Sequence, residues 1–270
     1  HNFLGLCQRG KDHLGEIDDN RPRERMWQVR AKEVVLATGA IERPLVFPDN
    51  DRPGVMMAEA ARTYLNRYGA VAGSRAVVFT SCDSDYRAAI ELKAAGVEVT
   101  TIADVRPSPQ GVWVDRARAA GIEVRGATLV IGTSGRLQIS HVDLTDQVSG
   151  KSETLPCDLL LMSGGFTPSV HLFSQSRGKL VYDDALKVYV PGTSVERERS
   201  VGACRGVFDL GAVLAGGFSG GLDAVKAAGG HPGREEKFAV SAQPVGQDGV
   251  IGRPGKTLKS VGRAWVDFQN

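Results

Sequence analysis

Between Ala76 and Ala103 two apolar runs bracket a segment of helical spacing, and this arrangement limits the fold more than any other feature of the chain. Ala76-Val77-Val78-Phe79 is continuously apolar, as a strand covered on both faces must be. Residues 84–95 then place Tyr86, Ala89, Ile90 and Ala94 on one helical face, and Gly96 supplies a stop. Val97 to Ala103 is a second buried-type strand. Strand, helix and strand within about 30 residues predict a parallel pair joined by a right-handed crossover.

The rest of the chain can be read around this unit. Trp27, Val29 and Ala31 alternate with polar residues, and Val34-Val35-Leu36-Ala37 is a short buried strand ending at Thr38-Gly39-Ala40. Pro44, Pro48 and Pro53 mark an irregular crossing. Met57, Ala60, Ala61, Tyr64, Leu65 and Tyr68 have helical spacing, with Gly69 as the stop. Residues 112–120 predict a further helix and Ile122 to Val124 a short strand. Leu137, Ile139 and Val142 predict strands that meet a hairpin turn near Ser149-Gly150-Lys151. Asp158 to Met162 is another buried strand, ending at Ser163-Gly164-Gly165. Residues 202–233 are dense in glycine, yet Leu210 to Ala228 keeps helical character. Residues 241–262, rich in Gly, Pro, Ser and Gln, read as a linker before the apolar alternation at Ala264 to Asn270.

Composition removes several function classes. The 270 residues carry a formal net charge of +2, too small a field to favour nucleic acid or an anionic membrane as the partner. No run reaches the ~18 apolar residues of a membrane span. The four cysteines Cys7, Cys82, Cys157 and Cys204 lie far apart with no C-x-x-C, which argues against zinc-ribbon, iron–sulfur and dithiol chemistry and for reduced thiols in a cytoplasmic protein. The five histidines have no metal spacing, and no metal site is expected. The chain opens His1-Asn2-Phe3, without an initiator Met, so it reads as a piece of something longer.

Three motifs carry functional information. A dinucleotide site in the β-α-β unit needs G-x-G-x-x-G, but the corresponding positions are Thr80, Cys82 and Asp85. A β-carbon there keeps the backbone away from a pyrophosphate. Asp83 and Asp85 would face its phosphates, and two like charges about 5 Å apart repel by roughly 3 kcal/mol at an effective dielectric near 20. Asp104 stands where a ribose-binding acid would end the second strand; it reads more simply as a surface Asp at a strand end. The middle unit therefore has the Rossmann shape with a damaged site. The second motif is the strand running into Ala37-Thr38-Gly39-Ala40, a pattern of flavoproteins with two dinucleotide-binding domains. The third is Gly202-Ala203-Cys204 leading into the glycine-rich helix. Such flavoproteins carry a Gly-Asp pair here, whose Asp binds the FAD ribityl chain, and the following helix aims its N-terminus at the pyrophosphate. Ala203 replaces that Asp, so the helix can still offer N–H groups to phosphate but the ribityl contact is lost.

Taken in order, these pieces resemble the α subunit of heterotetrameric sarcosine oxidase. The matching stretches are AKEVVLATGAIERPLVFPDNDRPGVMMAEAARTYLNRYG (31–69), FTSCDSDYRAAIELKAAGVEV (79–99), CDLLLMSGGFTPSVHLFSQS (157–176) and the closing AWVDFQN. More distant likeness runs to amine- and opine-oxidising flavoprotein subunits. The resemblance implies an α/β fold of the two-dinucleotide-binding-domain flavoprotein type. A Rossmann-type middle domain (49–170) would be inserted in a partial outer FAD/NAD-binding-like domain (1–48 and 171–235), with 236–270 a linker towards a folate-binding half.

The same resemblance implies that the α subunit carries NAD in the outer domain, while FAD and FMN belong to the β subunit, where sarcosine is oxidised to glycine with H2O2 formation. The formaldehyde unit would pass to tetrahydrofolate, giving 5,10-methylenetetrahydrofolate, in a complex with β, γ and δ subunits. Carried over by position, the NAD contacts lie around Ala203, Phe208 and Leu210, with Gly39 and Gly202 close by. No catalytic residue is assigned to this chain, and the fragment alone is expected to be inactive, its strands at 26–37 lacking sheet partners. Two other readings stand beside this one: a working NAD(P)H-dependent flavin oxidoreductase of the pyridine-nucleotide-disulfide reductase type, and a non-catalytic scaffold that docks subunits.

Overall fold

The computed structural model describes residues 2–10, 22–234, 236–241 and 264. The linker expected over 241–262 and the closing alternation lie outside these residues, Ser241 and Ala264 apart. In chain order the elements are β1 (Asn2–Arg9), β2 (Glu24–Ala31), β3 (Val34–Leu36), β4 (Ala40–Glu42), β5 (Val55–Met57), α1 (Ala58–Tyr68), β6 (Arg75–Thr80), α2 (Ser84–Ala94) and β7 (Glu98–Asp104). There follow α3 (Val112–Ala119), β8 (Glu123–Arg125), β9 (Thr128–Ser134), β10 (His141–Asp146), β11 (Ser152–Pro156), β12 (Leu159–Ser163) and β13 (Phe166–Pro168). The last are α4 (His171–Gln175), β14 (Lys179–Asp183), β15 (Val188–Thr193), β16 (Glu198–Ser200) and α5 (Leu210–Ala227). The chain divides into two compact units. Unit 1 runs up to Gly39 and resumes at Ser169–Val181 and Val190–Ser241; unit 2 holds Ala40–Pro168 and Tyr182–Tyr189.

Unit 2 is built on a five-stranded sheet of order β5-β12-β6-β7-β8, parallel at every pairing. The continuous apolar runs explain its two coats. Successive side chains of a strand point to opposite faces, so Ala76, Val78, Leu159 and Leu161 pack with Ala58, Ala61, Tyr86, Ala89 and Leu92 of the helices on one side. Val77, Phe79 and Leu160 meet Val130, Val142, Leu144 and Phe47 on the other. The second coat is the antiparallel sheet β11-β10-β9. Both expected helix stops are left-handed glycines, Gly69 at φ +63° and Gly96 at φ +95°. The strand expected around Leu137 is instead an exposed bend. The pairing strand is β9 at Thr128–Ser134, whose Leu129 and Val130 are buried in the second core.

Unit 1 holds the antiparallel ribbon β1-β2 and the parallel pair β16-β3. The strands at 26–37 therefore do have partners: β2 pairs in register with β1 from Asn2↔Ala31 to Arg9↔Glu24, and β3 pairs with β16. A hairpin, β14-β15, precedes β16. No helix among the described residues is long and apolar enough to cross a membrane.

Candidate functional site

In unit 1 the parallel strands β3 and β16 end side by side, and each runs into a left-handed glycine. Gly39 has φ +74° and Gly202 φ +70°, conformations that L side chains rarely adopt. The Gly39 carbonyl accepts Ser169 N–H at 3.0 Å, and the Thr38 hydroxyl donates to the Ser169 carbonyl at 2.7 Å. No atom lies within 4 Å of where a Gly39 β-carbon would sit, so the backbone here is open to close approach. Ends of parallel strands, where the chain turns away, are the usual ligand crevice of α/β folds.

From Gly202 the chain makes a tight 3-10 turn, Gly202–Arg205, closed by Gly206 at φ +81°. Val207 N–H returns to the Gly202 carbonyl at 3.3 Å. The Cys204 thiol is buried and donates to the Leu36 carbonyl at 3.2 Å, fixing the turn to the end of β3. Asp209 then caps α5, its carboxylate accepting Ala212 N–H at 2.9 Å. The helix packs closely because Gly220 has no side chain: a β-carbon there would stand 2.6 Å from Val201 Cγ1. Of the residues carried over as NAD contacts, Ala203 and Phe208 are half-buried and Leu210 is exposed. The structure thus brings Gly39, Gly202 and Ala203 to neighbouring strand ends and sets Leu210 at the first turn of α5. Ala203 offers no side-chain acceptor for a ribityl hydroxyl. The α5 N-terminus offers partial positive charge to a phosphate, with the Asp209 carboxylate already on one of its N–H groups.

The groove of unit 2 is closed by its own side chains. Asp104 is fully buried, not the surface residue its strand-end position implied. Arg106, two residues on, forks onto it, with Nε 3.1 Å from Oδ1 and Nη2 2.8 Å from Oδ2. Arg106 Nη1 reaches Asp83 at 2.9 Å, and the Tyr86 hydroxyl donates to Asp104 Oδ2 at 2.6 Å. The Tyr86 phenol is pushed far up, first by burial and then by the Asp104 charge. An arginine therefore stands between the two acids that a dinucleotide would otherwise meet. The β6–α2 turn is also filled: the Thr80 hydroxyl donates to the Cys82 carbonyl at 2.9 Å and accepts Cys82 N–H at 3.0 Å. Sequence reasoning missed Arg106, although Tyr86 on the inward helical face and an acid at the strand end were both visible.

One more cluster lies beside that turn. Asp85 is fully buried; its Oδ1 accepts the Ser84 hydroxyl at 3.1 Å, and its Oδ2 has no hydrogen-bond partner. On β4, Glu42 accepts Glu59 N–H at the start of α1 with both oxygens, at 3.2 and 3.1 Å. Burial, and then the Asp85 charge, push Glu42 up to about 8. Burial also pushes Asp85 up, to about 7, against the stabilising Thr80 and Ser84 hydroxyls. Cys82 is raised to about 12 by burial first and the Asp85 charge second, so it is a poor nucleophile in the folded chain.

With this geometry in hand, comparison with known proteins decides the relationship. The sequence is 41% identical over 235 residues to the sarcosine oxidase subunit alpha of Corynebacterium sp. (strain P-1), covering 84% of this chain and 24% of that one. The chain is a homologue of sarcosine oxidase α subunits. The Rhizobium meliloti (strain 1021) subunit alpha gives 39% over 222 residues, covering 80% of this chain and 21% of its own length. The chain thus spans about a quarter of the length of the curated relatives it matches. No protein-family model matches. Among solved structures, thioredoxin reductase from T. acidophilum superposes with a TM-score of 0.59 at 19% identity, covering 76% of this chain and 68% of that one. That likeness establishes the fold, an α/β architecture of the two-dinucleotide-binding-domain flavoprotein type.

Proposed function

We propose that this chain is the part of a sarcosine oxidase α subunit that holds NAD on the outer unit, and that the middle unit is a nucleotide-free scaffold. The observation that carries this reading is the contrast between the two strand-end sites. At 39 and 202 the backbone is left-handed, and at Gly39 it is open; at 80–85 it is filled, and Arg106 binds both Asp83 and Asp104, the acid at the ribose-binding position. Gly39, Gly202, Ala203, Phe208 and Leu210 would hold the dinucleotide, the α5 N-terminus facing its pyrophosphate. When bound, NAD supplies a nicotinamide ring able to accept hydride; in this reading its role is structural.

Within the whole protein we read the activity as oxidative demethylation of sarcosine to glycine, with H2O2 and 5,10-methylenetetrahydrofolate as products. The partners would be β, γ and δ subunits, and FAD and FMN would sit on β. No residue of this chain is assigned to amine oxidation. A flavin oxidoreductase of the disulfide-reductase type needs an open glycine turn in the middle unit, and Thr80, Cys82 and Asp85 do not provide one. The test is the NAD content of the full-length protein. Ala203→Arg places a bulky charged side chain in the 202–210 turn and should reduce NAD content. Unchanged content would show the placement to be wrong.

A further inference from the structure

Within unit 1 a cavity lies on the face of β3 and β16 that α5 does not cover. Consecutive residues of a strand point to opposite faces. Arg199 and Val201 face α5: Arg199 Nη1 stands 4.0 Å from Asp223, and Val201 packs where Gly220 has no side chain. Glu198 and Ser200 face the other way, with their β3 partners Val34 and Leu36. Val34, Leu36 and Glu198, with Leu4 and Leu6 of β1 and Leu172 of α4, line a cavity of about 390 Å³, all of it in unit 1. Small-molecule sites span roughly 300–1,000 Å³. At the polar end Glu198 is only 8% exposed and is short of donors. Among the described residues its carboxylate has one donor, the Ser176 hydroxyl at 3.0 Å from Oε1, and that single proton is shared with the Phe173 carbonyl at 2.8 Å. Glu198 Oε2 has no partner, and neither has the buried Ser200 Oγ on the same face. The cations nearby in sequence are taken, Arg177 by Glu196, and Arg197 and Arg199 by Glu33. A carboxylate buried this way is costly unless a donor, best a cation, meets it.

We propose that this cavity binds an organic ammonium ion, whose N–H groups are taken by Glu198 and whose hydrocarbon part is taken by Leu4, Leu6, Leu36 and Leu172. The donor set selects this class. An anion would meet the Glu198 charge with no spare cation to offset it. A neutral hydrocarbon would satisfy the walls and leave Oε2 unpaired. A metal ion needs several hard oxygen ligands, and no group of three acidic, histidine or cysteine side chains is gathered for one among the described residues. The head is a primary or secondary ammonium, since a quaternary one has no N–H to give. The site is separate from the turn proposed for NAD, because α5 lies on the opposite face of the strands, and it stands whether or not NAD is held at 202–210.

The test is calorimetric titration of the full chain at neutral pH with three probes of equal chain length: n-hexylammonium, 1-hexanol and hexanoate. Hexylammonium should bind at least about tenfold more tightly than hexanol, the margin of one charge-assisted hydrogen bond in a buried site, and hexanoate should bind most weakly. Glu198→Gln keeps the shape without the charge and should bring hexylammonium to within about threefold of hexanol. Equal affinity for hexylammonium and hexanol in the wild-type chain, or a preference that survives E198Q, overturns the proposal. Should E198Q fail to fold, Leu172→Lys is the second variant. Leu172 is exposed at the cavity rim, and a lysine there supplies a competing ammonium that should weaken hexylammonium by about tenfold. Unchanged affinity in L172K overturns the proposal as well. A further readout needs no variant: methyl NMR shifts on adding hexylammonium should fall on Leu4, Leu6 and Leu36, and shifts confined to Leu210 and Leu214 of α5 would show the placement to be wrong.

Discussion

Replacing Arg106 with Met keeps most of the aliphatic stem and removes the guanidinium that closes the unit 2 groove. The side chain is 11% exposed, Asp104 0% and Asp83 16%, so both acids lose their cation away from bulk water. Breaking a buried pair by removing one partner costs about 3–5 kcal/mol. Here Asp104 keeps two donors, the Tyr86 hydroxyl at 2.6 Å and the Arg106 backbone N–H at 2.8 Å, which places the expected loss at the low end, about 3 kcal/mol. With a urea dependence near 2 kcal/mol per molar, the midpoint should fall by about 1.5 M. The assay is urea unfolding followed by Trp113 fluorescence, with Trp27 and Trp265 changed to Phe. Trp113 lies on α3 of unit 2 and so reports on the relevant core. Adding Asp104→Asn should recover about 2 kcal/mol, since the buried charge is then gone. A loss below about 1 kcal/mol, or strictly additive effects in the double variant, would refute the reasoning.

Two further outcomes follow from the caps and turns. Asp209→Ala removes the side-chain acceptor of Ala212 N–H and should cost about 1 kcal/mol of local stability, seen as roughly fivefold faster hydrogen exchange at Ala212. Burial alone would raise Asp158, but the Ser74 hydroxyl and the Ser74 and Arg75 amides outweigh it and hold the carboxyl below its usual range. Its contribution is therefore present above about pH 4 and lost as pH falls through the depressed value. The acid limb of a stability–pH profile should be shallower in Asp158→Asn, and an unchanged limb would count against this role.

The middle unit was legible because its physics is local. Short apolar runs rich in β-branched residues, such as Ala76 to Phe79, suit strands covered on both faces, and Gly69 and Gly96 end helices for a conformational reason that sequence displays directly. The second coat was harder. Leu137 looks like a strand residue, but it lies in the loop between β9 and β10, and no propensity distinguishes it from Leu129, which packs in the core. Asp104 was read as exposed because its burial depends on Arg106 and Tyr86 meeting in three dimensions. The one signal for that contact is a pair of residues at spacings that also occur by chance. At the outer site the left-handed glycines at 39 and 202 were visible as strand-end small residues. The Asp209 cap and the Cys204 anchor were not, since each depends on where the backbone turns.

The central claim is that nucleotide belongs to the turn at 202–210 and not to the turn at 80–85, and the most direct measurement is crystallographic density for the nucleotide in the full-length protein purified with its bound cofactors. The account requires NAD density at the ends of β3 and β16, with its pyrophosphate at the first turn of α5 and nothing across Thr80–Asp85. Nucleotide lying across Thr80–Asp85, with Arg106 displaced from Asp104, would contradict it.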